Sequence, residues 1–286
     1  MSAHRASGPQ GPEAQIKVVK RDGSEVPFED ARVIRSMERT GVPKELFDRV
    51  LQHIKERIQK DNTITSDEIF YHIREFLVKK DRKSALRFNL RQAIFELGPT
   101  GYPFEQFMAR IFNSHGYKTQ VGIIMQGECV SHEIDVFMEK DGEQEIVEAK
   151  FHNQTFGKTD IHVALYTYAR FLDVSVRHKI KDVWLVTNTK LSGDAITYAE
   201  CKKIKVIGWN YPEKGSLAEF VENPKMYPIT TLTDITTEEK RRLIANDIVL
   251  ATDLLKISDQ ELEEKYLITA DRAKTIKNDV DLICGK

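Results

Sequence analysis

Two acids and one lysine, spaced to meet at one end of a β-hairpin, are the residues best suited to do chemistry in this sequence. Asp135 lies in "HEIDVF", and Glu148 and Lys150 lie two apart in "IVEAK". Residues two apart on a strand point to the same face, so Glu148 and Lys150 project side by side. If the strands pair across the Asp-Gly turn at 141 to 142, Asp135 lies beside them. Two neighbouring carboxylates need neutralisation, which a divalent metal with oxygen ligands supplies.

Such a site is suited to phosphodiester hydrolysis. The reaction needs a water that is deprotonated near neutral pH and neutralisation of the charge on phosphorus, and Mg²⁺ held by one or two carboxylates provides both. A neighbouring lysine adds a positive charge close to the phosphate. The alternative is a solvated edge, where Glu148 and Lys150 form an exposed ion pair that contributes little to stability.

The elements around these residues alternate between strands and helices. Strands are predicted near 117 to 124, 132 to 139 and 144 to 151, and then at "DVWLVTN" and "KIKVIGWN". Helices are predicted at 104 to 115, 159 to 177 and 192 to 202. This alternation predicts an α/β sheet covered on both faces. On the helix "TDIHVALYTYARFLD" we interpret the aromatic residues as core. Core is favoured over a stacking platform for this helix, and Arg170 is open to two interpretations, a DNA contact or the cap of a packed face.

The residues before and after this region have other patterns. "IKVVKRDGSEVPF" (16 to 28) alternates and turns at Asp-Gly, which predicts a hairpin, and four helical segments follow. "GPTGYP" (98 to 103) predicts a boundary, because it holds two glycines and two prolines. After "NPKMYP" the chain is predicted to be helical. The predicted domains are a disordered tail at 1–15, a first domain at 16–98, a second at 101–228 and a third at 231–286.

Composition narrows the class of protein. Hydrophobic residues make up 41% and charged residues 30%, and no apolar run reaches the length of a membrane span. The first fifteen residues lack the apolar stretch of a signal peptide. The three cysteines form neither a CxxC pair nor an even disulfide set, so we expect free thiols and a cytoplasmic location. The net charge of −1 carries no global signature of nucleic-acid binding, so any DNA-binding surface must be local.

The central region resembles a known nuclease domain. "GYPFEQFMARIFNSHGYKTQV", "HEIDVF", "IVEAKFH" and "VWLVTNTKLSGDAITYAECKKIKVIGWN" occur in the order of a PD-(D/E)xK domain of the Mrr-type restriction endonuclease group, across about residues 101 to 210. The usual group often has Gln before its Lys motif, whereas this chain has "VEAK". An exposed ion pair does not explain the ordered recurrence of the acids, so the resemblance favours a nuclease.

The resemblance also implies roles for residues. Asp135 and Glu148 would be metal ligands for Mg²⁺ or Mn²⁺, Lys150 would orient or polarise the attacking water, and Glu105 on the first helix would complete the acidic set. DNA is the implied substrate. Three further residues flank the site: His132, His152 and Gln154.

The first domain is similar to an ATP-cone, the nucleotide-sensing domain of ribonucleotide reductases and their repressors. "VVKRDGSEVPFEDARVI", "ITSDEI" and "SALRFNLRQAI" carry the resemblance, across about residues 16 to 96. It implies that Lys20 and Arg21 hold the phosphates of ATP or dATP, that Val18 contacts the base, and that Arg32 adds a phosphate or ribose contact. The motif is not a P-loop, so binding without hydrolysis is expected. Taken alone, "KRDG" would be interpreted as a solvated basic turn, but the three aligned segments favour nucleotide binding.

The last segment resembles helix-hairpin-helix modules in its apolar spacing and in "DLLKISDQEL" and "ITADRAKTI". It differs at the hairpins, which read "ANDI" and "KYLI" where the modules use Gly-rich turns that reach DNA phosphate. Residues 231–286 hold nine Lys and Arg against twelve Asp and Glu, a net charge of −3. A protein contact or dimerisation is therefore at least as well supported as DNA binding.

Together these patterns predict an α/β protein with a mixed-sheet, restriction endonuclease-like core between a mainly helical ATP-cone and a small helical domain. The predicted function is a Mg²⁺-dependent DNA endonuclease regulated by ATP or dATP, acting as a homo-oligomer, dimer or higher, away from membranes. The alternatives are a non-catalytic nucleotide sensor that binds DNA and an RNA-directed nuclease. Retention of Asp135, Glu148 and Lys150 favours the enzyme over the sensor.

Overall fold

The chain folds into two compact units, Met1–Phe88 and Asn89–Lys286. The computed structural model describes residues 16–20, 22–58, 62–154 and 157–285. The tail predicted at 1–15 lies outside the described residues.

The described residues of the first unit form a three-stranded sheet and four α-helices. Its strands are β1 (Lys17–Val19), β2 (Glu25–Pro27) and β3 (Thr63–Thr65), and its helices are α1 (Asp30–Arg39), α2 (Phe47–Lys55), α3 (Ser66–Lys80) and α4 (Arg82–Phe88). Strand β1 pairs antiparallel with β2 and parallel with β3. The hairpin predicted at 16 to 28 is present, whereas β3 was not predicted, because three residues are too few to show an alternating pattern.

The second unit is built on a five-stranded mixed sheet. Its strands in chain order are β4 (Lys118–Gln126), β5 (Ser131–Lys140), β6 (Glu143–Lys150), β7 (Lys158–Thr159), β8 (Ile180–Thr187), β9 (Lys190–Leu191) and β10 (Lys205–Ile207). The large sheet has the order β10-β8-β6-β5-β4, while β7 and β9 form a separate pair. Strands β4, β5 and β6 pair antiparallel, and β6, β8 and β10 pair parallel. This arrangement confirms the mixed α/β fold.

Eight helices complete the described part of the second unit: α5 (Leu90–Phe95), α6 (Tyr102–Ser114), α7 (Ile161–Ser175), α8 (Gly193–Lys202), α9 (Leu217–Glu222), α10 (Thr237–Ile244), α11 (Asp259–Tyr266) and α12 (Ala270–Cys284). The division between the units precedes α5, whereas the sequence placed a boundary at 98 to 103. The physical reason is packing, because α5 contacts the 3-10 turn Ile229–Thr231. The Thr230 hydroxyl donates to the Ala93 carbonyl oxygen at 2.6 Å.

Helices α6 and α7 cover opposite faces of the sheet. The ring of Phe112 on α6 lies 5.5 Å from that of Trp184 on β8. Val183 and Leu185, the neighbours of Trp184, belong instead to the buried cluster that contains Val163 of α7. Because successive residues on a strand point to opposite faces, the two helices sandwich β8.

The turn between β5 and β6 has the conformation that its sequence predicts. Asp141 and Gly142 have φ of 53° and 78°, and two consecutive positive φ values are typical of a type I′ hairpin turn. The strands then pair in register from Lys140–Glu143 to Val136–Val147. This register fixes which side chains of β5 lie beside those of β6.

Helices α10 and α12 are joined by an ion pair whose carboxylate is buried and whose guanidinium is partly exposed. The Arg272 guanidinium donates from Nη1 to Glu239 Oε1 at 2.6 Å and from Nη2 to Oε2 at 2.9 Å. The Thr236 backbone N–H donates to the same carboxylate at 2.8 Å. The hydrogen bonds from Arg272 lower the pKa of Glu239 to about 2.

The Glu239→Gln variant is expected to lower the free energy of unfolding at neutral pH by about 1 to 2 kcal/mol, because hydrogen bonds to a buried charge are lost. The folded-state pKa is depressed, so this stabilisation is present above the usual pKa of 4.5 and is lost as the pH falls toward about 2. Urea unfolding at pH 7 and at low pH measures the difference. Glu238→Gln, at a 61% exposed neighbour, is the matched control. An equal loss in both variants would contradict the prediction.

Two further features of the chain bear on its class. Cys129, Cys201 and Cys284 are free. Among the described residues, no helix is both long and apolar enough to cross a membrane.

Candidate active site

Pairing of β5 with β6 places Asp135, a residue of β5, beside the end of β6. Extending the register by one residue past Val136–Val147 places Asp135 opposite Glu148. Its carboxylate Oδ2 accepts a hydrogen bond from the Ala149 backbone N–H at 2.7 Å. Asp135 therefore lies next to the residues of β6 that include Glu148 and Lys150. Lys150 is half-buried and shares its face of β6 with Glu148 because the two are two residues apart.

Glu105 approaches the same acids from the first turn of α6. Burial raises its pKa to about 7, and the charges of Asp135, Glu133 and Glu148 raise it further. The preceding Gly101 leaves room for the side chain, since a Cβ there would lie 3.2 Å from Glu105 Oε1. The structure thus brings Glu105, Asp135 and Glu148 close enough to interact by charge.

The pKa of Asp135 is also raised, to about 6. Burial is the largest cause, followed by the charge of Glu148, while the Ala149 N–H and the charge of Arg170 oppose the shift. A carboxyl with this pKa is ionised at neutral pH at an energetic cost, because a second buried carboxylate lies beside it. The acid cluster, formed by Glu105, Asp135 and Glu148, therefore carries more negative charge than the neighbouring cations neutralise.

Tyr166 and Arg170 on α7 hold Glu148 in place. The Tyr166 hydroxyl donates to Glu148 Oε1 at 2.8 Å. Arg170 Nη1 donates to Glu148 Oε2 and also lies 4.0 Å from Asp135 Oδ1. Burial and the charge of Glu148 raise the pKa of the Tyr166 hydroxyl, so it remains a donor.

These two residues correct the sequence interpretation of α7. Tyr168 and Phe171 pack against the core cluster as predicted, but Tyr166 is 37% exposed and binds an acid, and Arg170 is not a core residue. The i, i+4 spacing that places Tyr166 and Arg170 on one helical face was visible in the sequence. The sequence did not show which strand that helical face contacts.

The three residues predicted to flank the site, His132, His152 and Gln154, do not join the acid cluster. The two histidines bond other residues. His132 Nε2 lies 2.7 Å from Oδ2 of Asp173, while Oδ1 of the same carboxylate accepts the Cys129 backbone N–H at 2.8 Å. These bonds keep the pKa of Asp173 well below its usual range. The His152 ring bonds Thr159 Oγ1 at 3.0 Å, and burial and the charge of Lys150 lower its pKa. Gln154 is exposed.

The acids fit a hard divalent metal by their chemistry. Carboxylate oxygens are the ligands Mg²⁺ prefers, and burial together with neighbouring negative charge raises the pKa of Asp135 and Glu105, so a cation would stabilise their ionised forms. The described ligand atoms of Glu105, Asp135 and Glu148 do not all lie within 4.8 Å of one another. The arrangement therefore fits an ion held by Asp135 and Glu148 with water completing its shell, as Mg²⁺ usually is.

The first unit contains a cavity of about 260 Å³ beside the β1–β2 hairpin. Three of the four residues predicted to bind nucleotide line it: Val18, Lys20 and Arg32. Arg32 is paired with Glu29, with Nε donating at 2.9 Å and Nη2 at 3.1 Å. Lys20 is exposed at the rim. Arg21, the fourth residue, lies outside the described residues.

Comparisons with known proteins agree with this organisation. The Mrr catalytic domain model, described as restriction endonuclease, matches residues 99–211, and the model described as AF1548-like, C-terminal, matches 227–284. An uncharacterized protein of Archaeoglobus fulgidus is 40% identical over 178 residues, which is 62% of this chain and 100% of the relative.

A solved structure, titled "Crystal Structure of Protein of Unknown Function AF1548", is also similar. It is 38% identical in sequence and has a TM-score of 0.56. The match covers 65% of this chain and 100% of the solved one. The second unit therefore has a restriction endonuclease-like core, and the chain belongs to the AF1548-like family, with that domain followed by the AF1548-like C-terminal segment.

Proposed function

We propose that this protein is a Mg²⁺-dependent endonuclease that hydrolyses phosphodiester bonds of DNA and is regulated by ATP or dATP. The observation that carries the proposal is the convergence of Glu105, Asp135 and Glu148 at one end of the sheet, with Lys150 on the same strand face as Glu148. The restriction endonuclease match over 99–211 supports DNA as the substrate.

Each residue has a role in this mechanism. Asp135 and Glu148 would hold the ion, which when bound supplies an activated water and positive charge for the phosphoryl oxygens. Lys150 places an ammonium beside them, where it orients the water and binds a phosphate oxygen. Glu105 would complete the acidic set beside the ion; its raised pKa of about 7 applies to the metal-free protein and would fall when a cation binds the neighbouring acids.

Regulation by nucleotide is supported by the cavity in the first unit. Its volume of about 260 Å³ is slightly below the roughly 300 Å³ at which small-molecule pockets begin. Its apolar lining, which includes Val18, Phe28 and Phe70, suits a base, while Lys20 and Arg32 supply cations for phosphates. Arg32 would exchange Glu29 for a phosphate. The cone-like unit would bind ATP without hydrolysing it.

We further propose that the enzyme acts as a homo-oligomer, because cutting both strands of a duplex calls for two such sites. Residues 231–286, with their net charge of −3, would make protein contacts rather than bind phosphate. Their helix-hairpin-helix resemblance, and the domain ranges 16–98, 101–228 and 231–286, belong to this proposal.

Purified full-length protein is expected to cut supercoiled plasmid in the presence of Mg²⁺ or Mn²⁺ and to stop when EDTA is added, because the acids alone cannot activate water. Gel analysis of plasmid, single-stranded DNA and RNA identifies the substrate. Preferential cleavage of RNA would favour the RNA-directed nuclease. Binding of DNA without cleavage in either metal would favour the alternative of a non-catalytic, nucleotide-sensing regulator.

A further inference from the structure

The Arg170 guanidinium lies between the two proposed metal ligands. Its Nη1 donates to Glu148 Oε2 and is 4.0 Å from Asp135 Oδ1. The side chain is 26% exposed, compared with 10% for Glu148 and 18% for Asp135. One positive charge from the protein itself therefore partly neutralises two carboxylates.

A divalent ion bound by the same two carboxylates would compete with this guanidinium. Arg170 occupies Glu148 Oε2 and lies beside Asp135 Oδ1, so an ion held by these two carboxylates would place its charge close to that of the guanidinium. Like charges at this separation repel strongly in a partly buried site. The contacts with Arg170 and the binding of the ion are therefore in conflict.

The remaining contacts allow Arg170 to leave without loss of the carboxylate geometry. Tyr166 holds Glu148 through the other oxygen, Oε1, at 2.8 Å, and the Ala149 N–H holds Asp135 Oδ2 at 2.7 Å. The guanidinium carbon of Arg170 lies 5.8 Å from the centre of the Tyr166 ring, a distance at which an aromatic face attracts a cation.

We propose, as an extension of the nuclease function above, that Arg170 is a positioning residue that occupies the place of the metal in the metal-free protein and must leave Glu148 before the ion binds. Arg170 thereby supplies the positive charge that partly neutralises Glu148 and Asp135, and it lowers the affinity of the site for divalent cations. Tyr166 and the Ala149 N–H hold the acids in place during the exchange.

The test is the affinity of the full-length protein for Mn²⁺ without DNA, measured by titration calorimetry and by the electron spin resonance signal of free Mn²⁺. Arg170→Met should bind at least about tenfold more tightly than the wild type, because a competitor is removed. Arg170→Gln, which keeps hydrogen-bond donors but no charge, should do the same and serves if the Met variant does not fold. Arg170→Lys keeps the charge and should remain near the wild type.

Arg177→Met is the matched control, because it removes an exposed arginine just beyond the same helix. Its affinity for Mn²⁺ should equal that of the wild type. Mn²⁺ should also raise the melting temperature of Arg170→Met more than that of the wild type, because tighter binding to the folded state stabilises it more.

The outcomes separate this inference from the nuclease function. If the wild type binds Mn²⁺, Asp135→Ala abolishes that binding, and Arg170→Met and Arg170→Gln bind equally or more weakly, Arg170 does not compete and the inference fails alone. An equal gain in Mn²⁺ affinity in Arg177→Met and Arg170→Met would show that the effect arises from net charge alone. That result would also overturn the inference. If neither the wild type nor the Arg170 variants bind Mn²⁺ through Asp135, the proposed metal site and the inference fail together.

Discussion

Lys150→Ala and Asp135→Asn are each expected to lower DNA cleavage by about 10²- to 10⁴-fold while leaving the fold intact. Lys150 is half-buried on the strand face of Glu148, so its loss would remove the positive charge that we propose acts on the transition state. Asp135→Asn keeps an oxygen facing the Ala149 N–H but removes a negative charge from the proposed ligand set. Initial rates of plasmid nicking at saturating Mg²⁺ measure the effect.

Lys118→Ala is the matched control for the lysine. Lys118 is exposed at the start of β4, where it pairs across the strands with Glu139 and not with the acids. Its rate should match that of the wild type, and circular dichroism should be the same for all three variants. Unchanged cleavage by Lys150→Ala would exclude the proposed role of this residue and with it the assignment of the site.

Reversing the charge of Lys20 is expected to weaken binding of ATP and dATP by about 10- to 100-fold, because a charge-assisted hydrogen bond to phosphate is replaced by repulsion. AMP should bind poorly to the wild type, since most of the attraction is to the outer phosphates. Calorimetry on Lys20→Glu and on Lys44→Glu, an exposed lysine of the same unit, separates a local effect from one of net charge. Equal affinity for AMP and ATP would contradict the proposed orientation.

The same samples test whether nucleotide regulates cleavage. A coupling of roughly 1 to 3 kcal/mol would change activity about 5- to 150-fold. We expect ATP or dATP to change the assembly size, measured by light scattering, together with the nicking rate, and Lys20→Glu to lose both responses but keep its basal rate. A constant size and rate despite demonstrated binding would reduce the first unit to a structural role.

The hairpin that carries the acids was predictable from local sequence. Asp141 and Gly142 specify a turn with two positive φ values, and the turn fixes the register that places Asp135 beside Glu148. The mixed α/β fold followed from the alternation of strand and helix patterns. These features depend on residues close together in the sequence.

The contacts of α7 were not predictable, because they depend on how a helix is rotated against a sheet. Tyr166 and Arg170 lie 18 and 22 residues beyond Glu148, and their sequence fits a buried aromatic face as well as a polar one. The packing of α5 also depends on residues distant in the sequence, since Thr230 contacts Ala93 across 137 residues. Strong turn signals at 98 to 103 gave no information about that packing.

Helix α7 meets the sheet through three polar residues at positions i, i+4 and i+7: Tyr166, Arg170 and Asp173. Asp173 receives the Cys129 N–H and the His132 ring, so it fastens the helix to the β4–β5 turn independently of the acids. The fold thus separates a residue that fixes the helix from one that sets the charge of the site. A substitution at position 170 therefore changes the charge beside Glu148 and Asp135 while Asp173 keeps α7 attached to the β4–β5 turn, so the two properties can vary independently.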